Sequence, residues 1–278
     1  MTLGNILCTL CPRRCSLPPG VTGFCRARAN VDGKIVCQNY GLLSSIALDP
    51  IEKKPLRRYY PGRLILSVGS YGCNLRCPFC QNASIAQNGR EAARMEVSPA
   101  QLLDLALLYK EKAGNLGVAF TYNEPVVGYE YVRDCAKLLK EHDLRAVLVT
   151  NGYLSPGSWK AILPLIDAAN IDLKGFTPAF YQWIGGDLET VKESIRLAHA
   201  ANVHVEVTTL IIPGKNDDPA DMEAEAKWLA SLSPNLILHI SRYFPRYQLD
   251  LPATPVATVY QLAEVARRHL RYVYTGNC

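Results

Sequence analysis

The sequence predicts an α/β fold in which strands and helices alternate along most of the chain. Two observations lead to this prediction. Six short apolar runs have the length and composition of β-strands, and each is followed by a stretch that reads as a helix. Repeated βα units form a parallel sheet, and six strands are fewer than the eight that close a barrel.

The predicted elements follow one another regularly after residue 62. The strands are predicted at 63–69, 116–122, 145–152, 168–175, 203–211 and 235–241. The helices are predicted at 98–114, 127–142, 156–166, 188–202, 219–232 and 257–270. Ser98 is a suitable N-cap for the first helix, and Gly114 is a suitable C-terminal stop.

Residues 1–62 have a different character, with many turn signals and no long amphipathic helix. Within them, the segment VDGKIVCQNYG predicts a hairpin that turns at Asp32 and Gly33. We therefore divide the chain into a cysteine-rich N-terminal appendage, residues 1–62, and an α/β domain, residues 63–278.

Composition and charge narrow the class of protein. The chain has 278 residues, 49% of them hydrophobic, which is enough for a large core. A net charge of +5 without a long basic block does not indicate nucleic-acid binding. No apolar run has the length that spans a bilayer, so we expect no membrane partner. Ten cysteines without a signal peptide indicate the cytoplasm, and metal binding rather than disulfides.

The segment SYGCNLRCPFCQN, residues 70–82, directly follows the first predicted strand of the α/β domain. It places Cys73, Cys77 and Cys80 in a C-x3-C-x2-C spacing. Three thiolates can hold a [4Fe–4S] cluster and leave its fourth iron open to a small chelating ligand, which could then receive an electron directly. The alternatives are a zinc knuckle or unligated core thiols, but zinc prefers four ligands in paired C-x2-C sets.

A second group of cysteines lies in the appendage. Cys8, Cys11, Cys15 and Cys25 form a C-x2-C-x3-C-x9-C array. Four thiolates complete a tetrahedral zinc site or saturate a second cluster, and the sequence leaves both open. The remaining alternative is a set of structural thiols that bind no metal.

Polar residues follow the predicted strands at their carboxyl ends, where the loops of a barrel converge on the active site. Asn123 and Glu124 offer a carbonyl and a carboxylate to an ammonium group. Asp172 and Lys174 point to the same side by strand alternation, although a surface salt bridge is the alternative. We expect Glu124 and Asp172 to be hydrated at the barrel mouth. The further candidates at these ends are Tyr122, Thr150, Asn151, Thr208, His239 and Arg242.

Two of these candidates differ in how specifically they indicate a site. His239 is equally consistent with a satisfied core histidine. Arg242 is the stronger candidate, because a guanidinium can bind a carboxylate or phosphate through two hydrogen bonds.

Along the whole chain, several motifs resemble the radical S-adenosylmethionine (SAM) superfamily. They are DPIEKKPL, CNLRCPFCQN, TYNEP, IDLKG, HISRYFPRY and YTGN. Within it, the chain resembles the radical SAM component of the AmmeMemoRadiSam system and the pyruvate-formate-lyase-activating-like proteins. The resemblance implies a partial (β/α)6 TIM-like barrel. It also implies a [4Fe–4S] cluster on Cys73, Cys77 and Cys80, and SAM bound at the strand ends, with Asp172 and Lys174 near its carboxylate and ribose.

The resemblance further implies an oxidoreductase that cleaves SAM reductively to a 5′-deoxyadenosyl radical, which abstracts hydrogen from a substrate C–H bond. Flavodoxin or ferredoxin would be the electron donor. Two substrate classes remain open: a partner protein, as for glycyl-radical enzyme activating enzymes, and a small molecule or peptide. A plain iron–sulfur electron carrier is the alternative outside enzymes, although such a carrier has little use for an open iron.

Overall fold

The computed structural model of the protein describes residues 4–278. The strands in this part of the chain are Ile6–Leu7 (β1), Ser16–Leu17 (β2), Arg28–Val31 (β3), Lys34–Cys37 (β4), Leu42–Leu43 (β5), Ser45–Pro50 (β6), Leu64–Gly69 (β7), Met95–Glu96 (β8), Gly117–Phe120 (β9), Arg145–Thr150 (β10), Ala168–Asp172 (β11), His204–Ile211 (β12), Ile237–Arg242 (β13) and Tyr272–Gly276 (β14). Eight of them form one sheet in the order β14-β13-β12-β11-β10-β9-β7-β6.

This large sheet is parallel from β7 to β14, and β6 pairs antiparallel with β7 at one edge. The six predicted strands are β7 and β9 to β13, so the predicted partial barrel is confirmed. Two further strands, β6 and β14, extend the sheet beyond the prediction. β6 belongs to residues 1–62, so the large sheet includes residues from both sides of the predicted domain boundary at residues 62 and 63. The boundary stays a prediction.

Helices follow the parallel strands as predicted. The α-helices of residues 4–278 are Ala83–Ala86 (α1), Pro99–Ala113 (α2), Tyr129–Glu141 (α3), Pro156–Ile162 (α4), Pro178–Trp183 (α5), Leu188–Ala200 (α6), Pro219–Leu232 (α7) and Val256–Arg267 (α8). The short α1 and α5 were not predicted. No helix in this part of the chain combines the length and apolarity needed to cross a membrane.

Local sequence signals determine several boundaries. The Ser98 hydroxyl accepts a hydrogen bond from the Gln101 N–H at the start of α2, and Gly114 ends that helix with a left-handed φ of 65°. The β3–β4 hairpin turns at Asp32 and Gly33, whose φ values of 48° and 77° suit a type I′ turn. The predicted caps and hairpin are therefore confirmed.

The two faces of the sheet are covered differently. The helices pack on one face, and together they bury the main apolar core. On the other face, the segment of residues 51–60, here called the floor segment, packs against the strands. Its Ile51, Leu56 and Tyr59 form a separate apolar cluster with side chains that include Ala119 and Val147. The floor segment thus fills part of the inner face of the barrel.

Candidate active site

The cluster loop, residues 70–82, begins directly after β7. Cys77 is buried, and Cys73 and Cys80 are half-buried. Burial raises the pKa of Cys77 to about 12, and burial likewise raises the pKa of Cys73 and of Cys80. Three thiols held in one buried loop need a cationic metal before they ionise at neutral pH. This donor set fits an iron–sulfur cluster.

Backbone contacts determine the shape of the loop. Gly72 has a φ of 86°, and a Cβ there would collide with the carbonyl oxygen of Cys25. The Leu75 N–H points at the Cys73 sulfur, 3.4 Å away. Among residues 4–278, no three His, Cys, Asp or Glu side chains stand in a preassembled metal geometry. The loop brings the thiols near one another, and a metal would draw them together.

The Asn123 amide is fully engaged by the start of this loop. Its Oδ1 accepts from the Ser70 N–H at 2.9 Å, and its Nδ2 donates to the carbonyls of Tyr71 and Gly72 at 3.0 and 3.1 Å. Asn123 therefore holds the backbone that leads to Cys73. The sequence suggests that its side-chain carbonyl is free at the barrel mouth, but the structure shows that this carbonyl is already hydrogen-bonded.

Glu124 is also placed differently from the expectation. The residue is 2% exposed rather than hydrated, and it accepts hydrogen bonds from the Thr150 hydroxyl, the Asn151 N–H and the Val126 N–H at 2.7, 2.7 and 3.2 Å. Burial raises its pKa to about 7, although these hydrogen bonds act in the opposite direction. Glu124 thus joins the ends of β9 and β10.

Asn151 connects β10 to the cluster loop. Its Nδ2 donates to Asn74 Oδ1 at 2.9 Å and lies 3.6 Å from the Cys73 sulfur. Asn74 is buried within the loop and also donates to the Tyr153 carbonyl at 2.6 Å. Asn74 is not among the residues predicted from the sequence, although its place between Cys73 and Cys77 is a visible signal.

Asp172 and Lys174 lie together at the end of β11, as predicted. Lys174 Nζ is 2.9 Å from Asp172 Oδ2, and their side chains are 20% and 31% exposed for Lys174 and Asp172, respectively. Burial lowers the pKa of Lys174, but the charges of Asp172 and Cys77 outweigh it and raise the pKa overall. The charges of the Asp172–Lys174 pair therefore interact with the thiol of Cys77 in the cluster loop.

Tyr122 points away from the loop, toward the floor of the barrel. It has a left-handed φ of 70°, which is strained for a tyrosine. Its hydroxyl donates to Asp49 Oδ2 at 2.8 Å, and Lys54 Nζ lies 2.9 Å from the same oxygen. Neither Asp49 nor Lys54 is among the site residues predicted from the sequence, although both belong to the motif DPIEKKPL.

Thr208 and His239 are engaged at the floor rather than brought to the cluster loop. The Thr208 hydroxyl donates to Asn170 Oδ1 at 3.0 Å. His239 Nε2 lies 2.6 Å from Glu206 Oε2, a carboxylate that also accepts from His204. His239 and the partly exposed His204 thus form a polar cluster around the buried carboxylate of Glu206.

Arg242 is the last residue of β13, so it lies where the carboxyl ends of the parallel strands meet. Its Nε donates to the Thr254 carbonyl at 2.6 Å, and its guanidinium stacks 4.7 Å from the Phe244 ring. This arrangement anchors the following loop.

The N-terminal cysteine site, Cys8, Cys11, Cys15 and Cys25, lines a single cavity. Burial raises the pKa of Cys11 to about 11 and also raises that of Cys25. Arg13 and Arg28 line the same cavity. The structure therefore brings the four predicted cysteines together beside two cationic side chains.

Comparisons with known proteins agree with this geometry. Over 277 residues, the chain is 38% identical to an uncharacterized protein of Methanocaldococcus jannaschii, covering 98% of this chain and 81% of the other. It is 26% identical over 165 residues to the pyruvate formate-lyase-activating enzyme of Clostridium pasteurianum, covering 58% and 67% of the two chains.

Solved structures share the fold at low identity. A radical SAM methyltransferase from Sphaerobacter thermophilus superposes with a TM-score of 0.60 at 16% identity, covering 78% of this chain and 67% of that one. The profile of the Radical SAM superfamily matches residues 67–229, which contain the cluster loop and the ends of β9 to β11. The chain therefore belongs to the radical SAM superfamily, whose domain implies a [4Fe–4S] cluster and SAM.

Proposed function

We propose that Cys73, Cys77 and Cys80 hold the [4Fe–4S] cluster at which SAM is reductively cleaved, giving a 5′-deoxyadenosyl radical that takes hydrogen from a substrate C–H bond. The observation that carries this proposal is the position of the three thiols. They lie on a loop at the carboxyl ends of the strands, beside the Asp172–Lys174 pair. A loop with three thiolates leaves room for a chelating ligand.

The polar residues divide into two groups within this proposal. Asp172 and Lys174 are partly exposed, so they can exchange their mutual contact for the charged groups of SAM. Asn123 and Glu124 are buried and already hydrogen-bonded, and we assign them the positioning of the cluster loop and the strand ends. Asn151 serves the same purpose through its contact with Cys73.

Thr150, Tyr122, Thr208 and His239 complete the framework in this proposal. Thr150 is bonded to Glu124, whereas the other three face the floor of the barrel. We infer that Tyr122, Thr208 and His239 shape the end of the substrate cavity next to the floor segment and do not bind SAM. Arg242, at the end of β13, remains the candidate for an anionic group of SAM or substrate.

For the substrate, we favour a partner protein activated by hydrogen abstraction. The similarity to the activating enzyme of Clostridium pasteurianum supports this choice. The floor segment supports it as well, because it covers the inner face at the end remote from the cluster loop. A substrate then approaches from the strand ends, where a protein segment can enter.

A deuterium-transfer experiment tests the substrate class. Cells of the source organism are grown in deuterated medium, and their extract is separated into macromolecular and small-molecule fractions. Reconstituted enzyme, SAM and a reductant are added to each. We expect deuterium in 5′-deoxyadenosine only with the macromolecular fraction. Deuterium transfer from the small-molecule fraction alone would instead establish a small-molecule substrate.

We also propose that the N-terminal cysteine site binds a metal, either zinc or a second cluster. Its four cysteines line one cavity with two arginines, which suits the negative charge of a four-thiolate centre. Flavodoxin or ferredoxin would supply electrons. The cytoplasm is the expected compartment, because two sets of metal-binding thiolates need a reducing environment.

A further inference from the structure

Arg28 has an unsatisfied donor at the N-terminal cysteine site. It is 7% exposed and forms a two-pronged ion pair with Glu130, both N–O distances being 2.7 Å. Its third nitrogen, the Nε–H group, has no hydrogen-bond partner within the described residues. Arg28 also lines the cavity of the four cysteines. A buried N–H without an acceptor is unfavourable. The free Nε–H therefore indicates that a bound group, and not the protein itself, supplies the acceptor.

Sulfur in a thiolate centre supplies such an acceptor. Metal-bound thiolates and inorganic sulfides carry negative charge and accept N–H hydrogen bonds, which in iron–sulfur proteins tune the reduction potential. At the same cavity the guanidinium group of Arg13 adds a positive charge, whereas the charge of Arg28 is balanced by Glu130. The cavity is therefore suited to an anionic, sulfur-rich group.

The N-terminal cysteine site directly adjoins the cluster loop. The carbonyl oxygen of Cys25 contacts Gly72, the residue before Cys73. Because neighbouring Cα atoms are 3.8 Å apart, the Cα atoms of Cys25 and Cys73 lie within about 10 Å of each other. The two cysteine sets are thus near neighbours in the fold, although about fifty residues separate them in the chain.

Hydrogen bonds join the two sites as well. Arg13 Nε donates to the backbone carbonyl of Asn74 at 2.6 Å. The Asn74 side chain accepts from Asn151, which also contacts the Cys73 sulfur. Asn74 therefore touches the surroundings of both cysteine sets, and it is 1% exposed.

We propose that the N-terminal cysteine site holds an iron–sulfur cluster that delivers electrons to the cluster loop. This inference rests on the proposed function, since the loop must hold a cluster to receive them. The position of the site favours iron over zinc: it adjoins the cluster loop, where a redox-active cluster can pass electrons on, whereas zinc has no redox chemistry. One electron enters from a ferredoxin- or flavodoxin-type protein, which is oxidised, and passes to the loop without any covalent change.

Metal analysis of a loop variant tests the site. In Cys73→Ala/Cys77→Ala/Cys80→Ala protein, reconstituted anaerobically, we expect about four irons per chain and the electron paramagnetic resonance (EPR) signal of a reduced [4Fe–4S] cluster. Adding Cys8→Ala and Cys25→Ala should remove both, whereas adding Cys37→Ser, a change in the same appendage but outside the cavity, should remove neither. Zinc in place of iron, or folded protein without metal, would overturn the inference.

Measurement on the wild-type protein covers the case in which the loop variant fails to fold. We expect about eight irons per chain and, after full reduction, EPR broadening from two interacting clusters. Four irons with one zinc would refute the inference. Failure of the proposed function gives a different result, namely no 5′-deoxyadenosine from wild-type protein, whichever metal the N-terminal site contains.

Discussion

Glu124 and Thr150 join the ends of two adjacent strands through a 2.7 Å hydrogen bond from the Thr150 hydroxyl to Glu124 Oε1. The other carboxylate oxygen accepts from the Asn151 N–H, and Asn151 reaches the sulfur of Cys73. A single buried carboxylate therefore couples the strand ends to the cluster loop.

We predict that Glu124→Gln destabilises the fold. The two carboxylate oxygens accept from different backbone N–H groups, Val126 on one side and Asn151 on the other. A glutamine NH2 must face one of these donors, which should cost about 1–3 kcal/mol of unfolding free energy. Urea unfolding measures the loss, with the exposed Glu189→Gln as control. Unchanged stability would show that Glu124 is not a structural link.

Asp172→Asn should behave in the opposite way. Its carboxylate is partly exposed and pairs with Lys174, which is also partly exposed, so the ion pair contributes little to stability. If Asp172 binds a cationic group of SAM, losing the charge should weaken affinity by roughly one to two decades. Equilibrium binding of SAM and thermal unfolding are measured on the same protein. A lower melting temperature with unaltered affinity would remove Asp172 from the site.

The fold could be predicted from the sequence where the signal is local. Strands β7 and β9 to β13 are mostly apolar runs, because both of their faces are covered. β6 and β14 lie at the sheet edges, where residues are only partly buried, and no such run marks them. The grouping of Cys73, Cys77 and Cys80 could be predicted for the same reason, since all three lie within one loop, whereas their role as ligands stays a prediction.

Side-chain environments at the site could not be predicted in this way. The strand ends are polar in sequence, which suggested hydrated groups, yet Asn123 and Glu124 are buried by the cluster loop and by β10. Their partners are distant in sequence and meet only through tertiary packing. The partner of Tyr122 could not be predicted either, because its hydroxyl donates to Asp49, a residue 73 positions earlier in the chain.

The Lys54–Asp49 ion pair gives a third prediction. Lys54 and Asp49 side chains are 3% and 13% exposed, and their charged atoms are 2.9 Å apart. Lys54→Met removes the buried partner of the Asp49 carboxylate and leaves it only the exposed Lys53, 3.5 Å from its other oxygen, and the Tyr122 hydroxyl, so the loss should be about 1–3 kcal/mol. Adding Asp49→Asn should restore part of that loss, because the poorly compensated charge is then gone. Additive losses in the double variant, measured by urea unfolding, would argue against coupling between the two residues.

Glu206 gives a pH prediction. Burial raises its pKa, but bonds from His204, His239 and two backbone N–H groups outweigh burial and lower it from 4.5 to about 2. A lowered carboxyl pKa stabilises the fold fully above pH 4.5, and that contribution is lost as the pH falls toward 2. Unfolding free energy should therefore fall in this interval, less steeply in Glu206→Gln. Equal slopes for the two proteins would contradict the assignment.

The most direct measurement is release of 5′-deoxyadenosine from SAM by anaerobically reconstituted, dithionite-reduced protein. We expect 5′-deoxyadenosine from the wild type and from Cys135→Ala, a change to a buried cysteine of helix α3. We expect neither cluster nor product from Cys77→Ala, because one of the three thiolates is missing. Full cleavage of SAM by Cys77→Ala, or none by wild-type protein that carries its cluster, would refute the proposed role of the cluster loop.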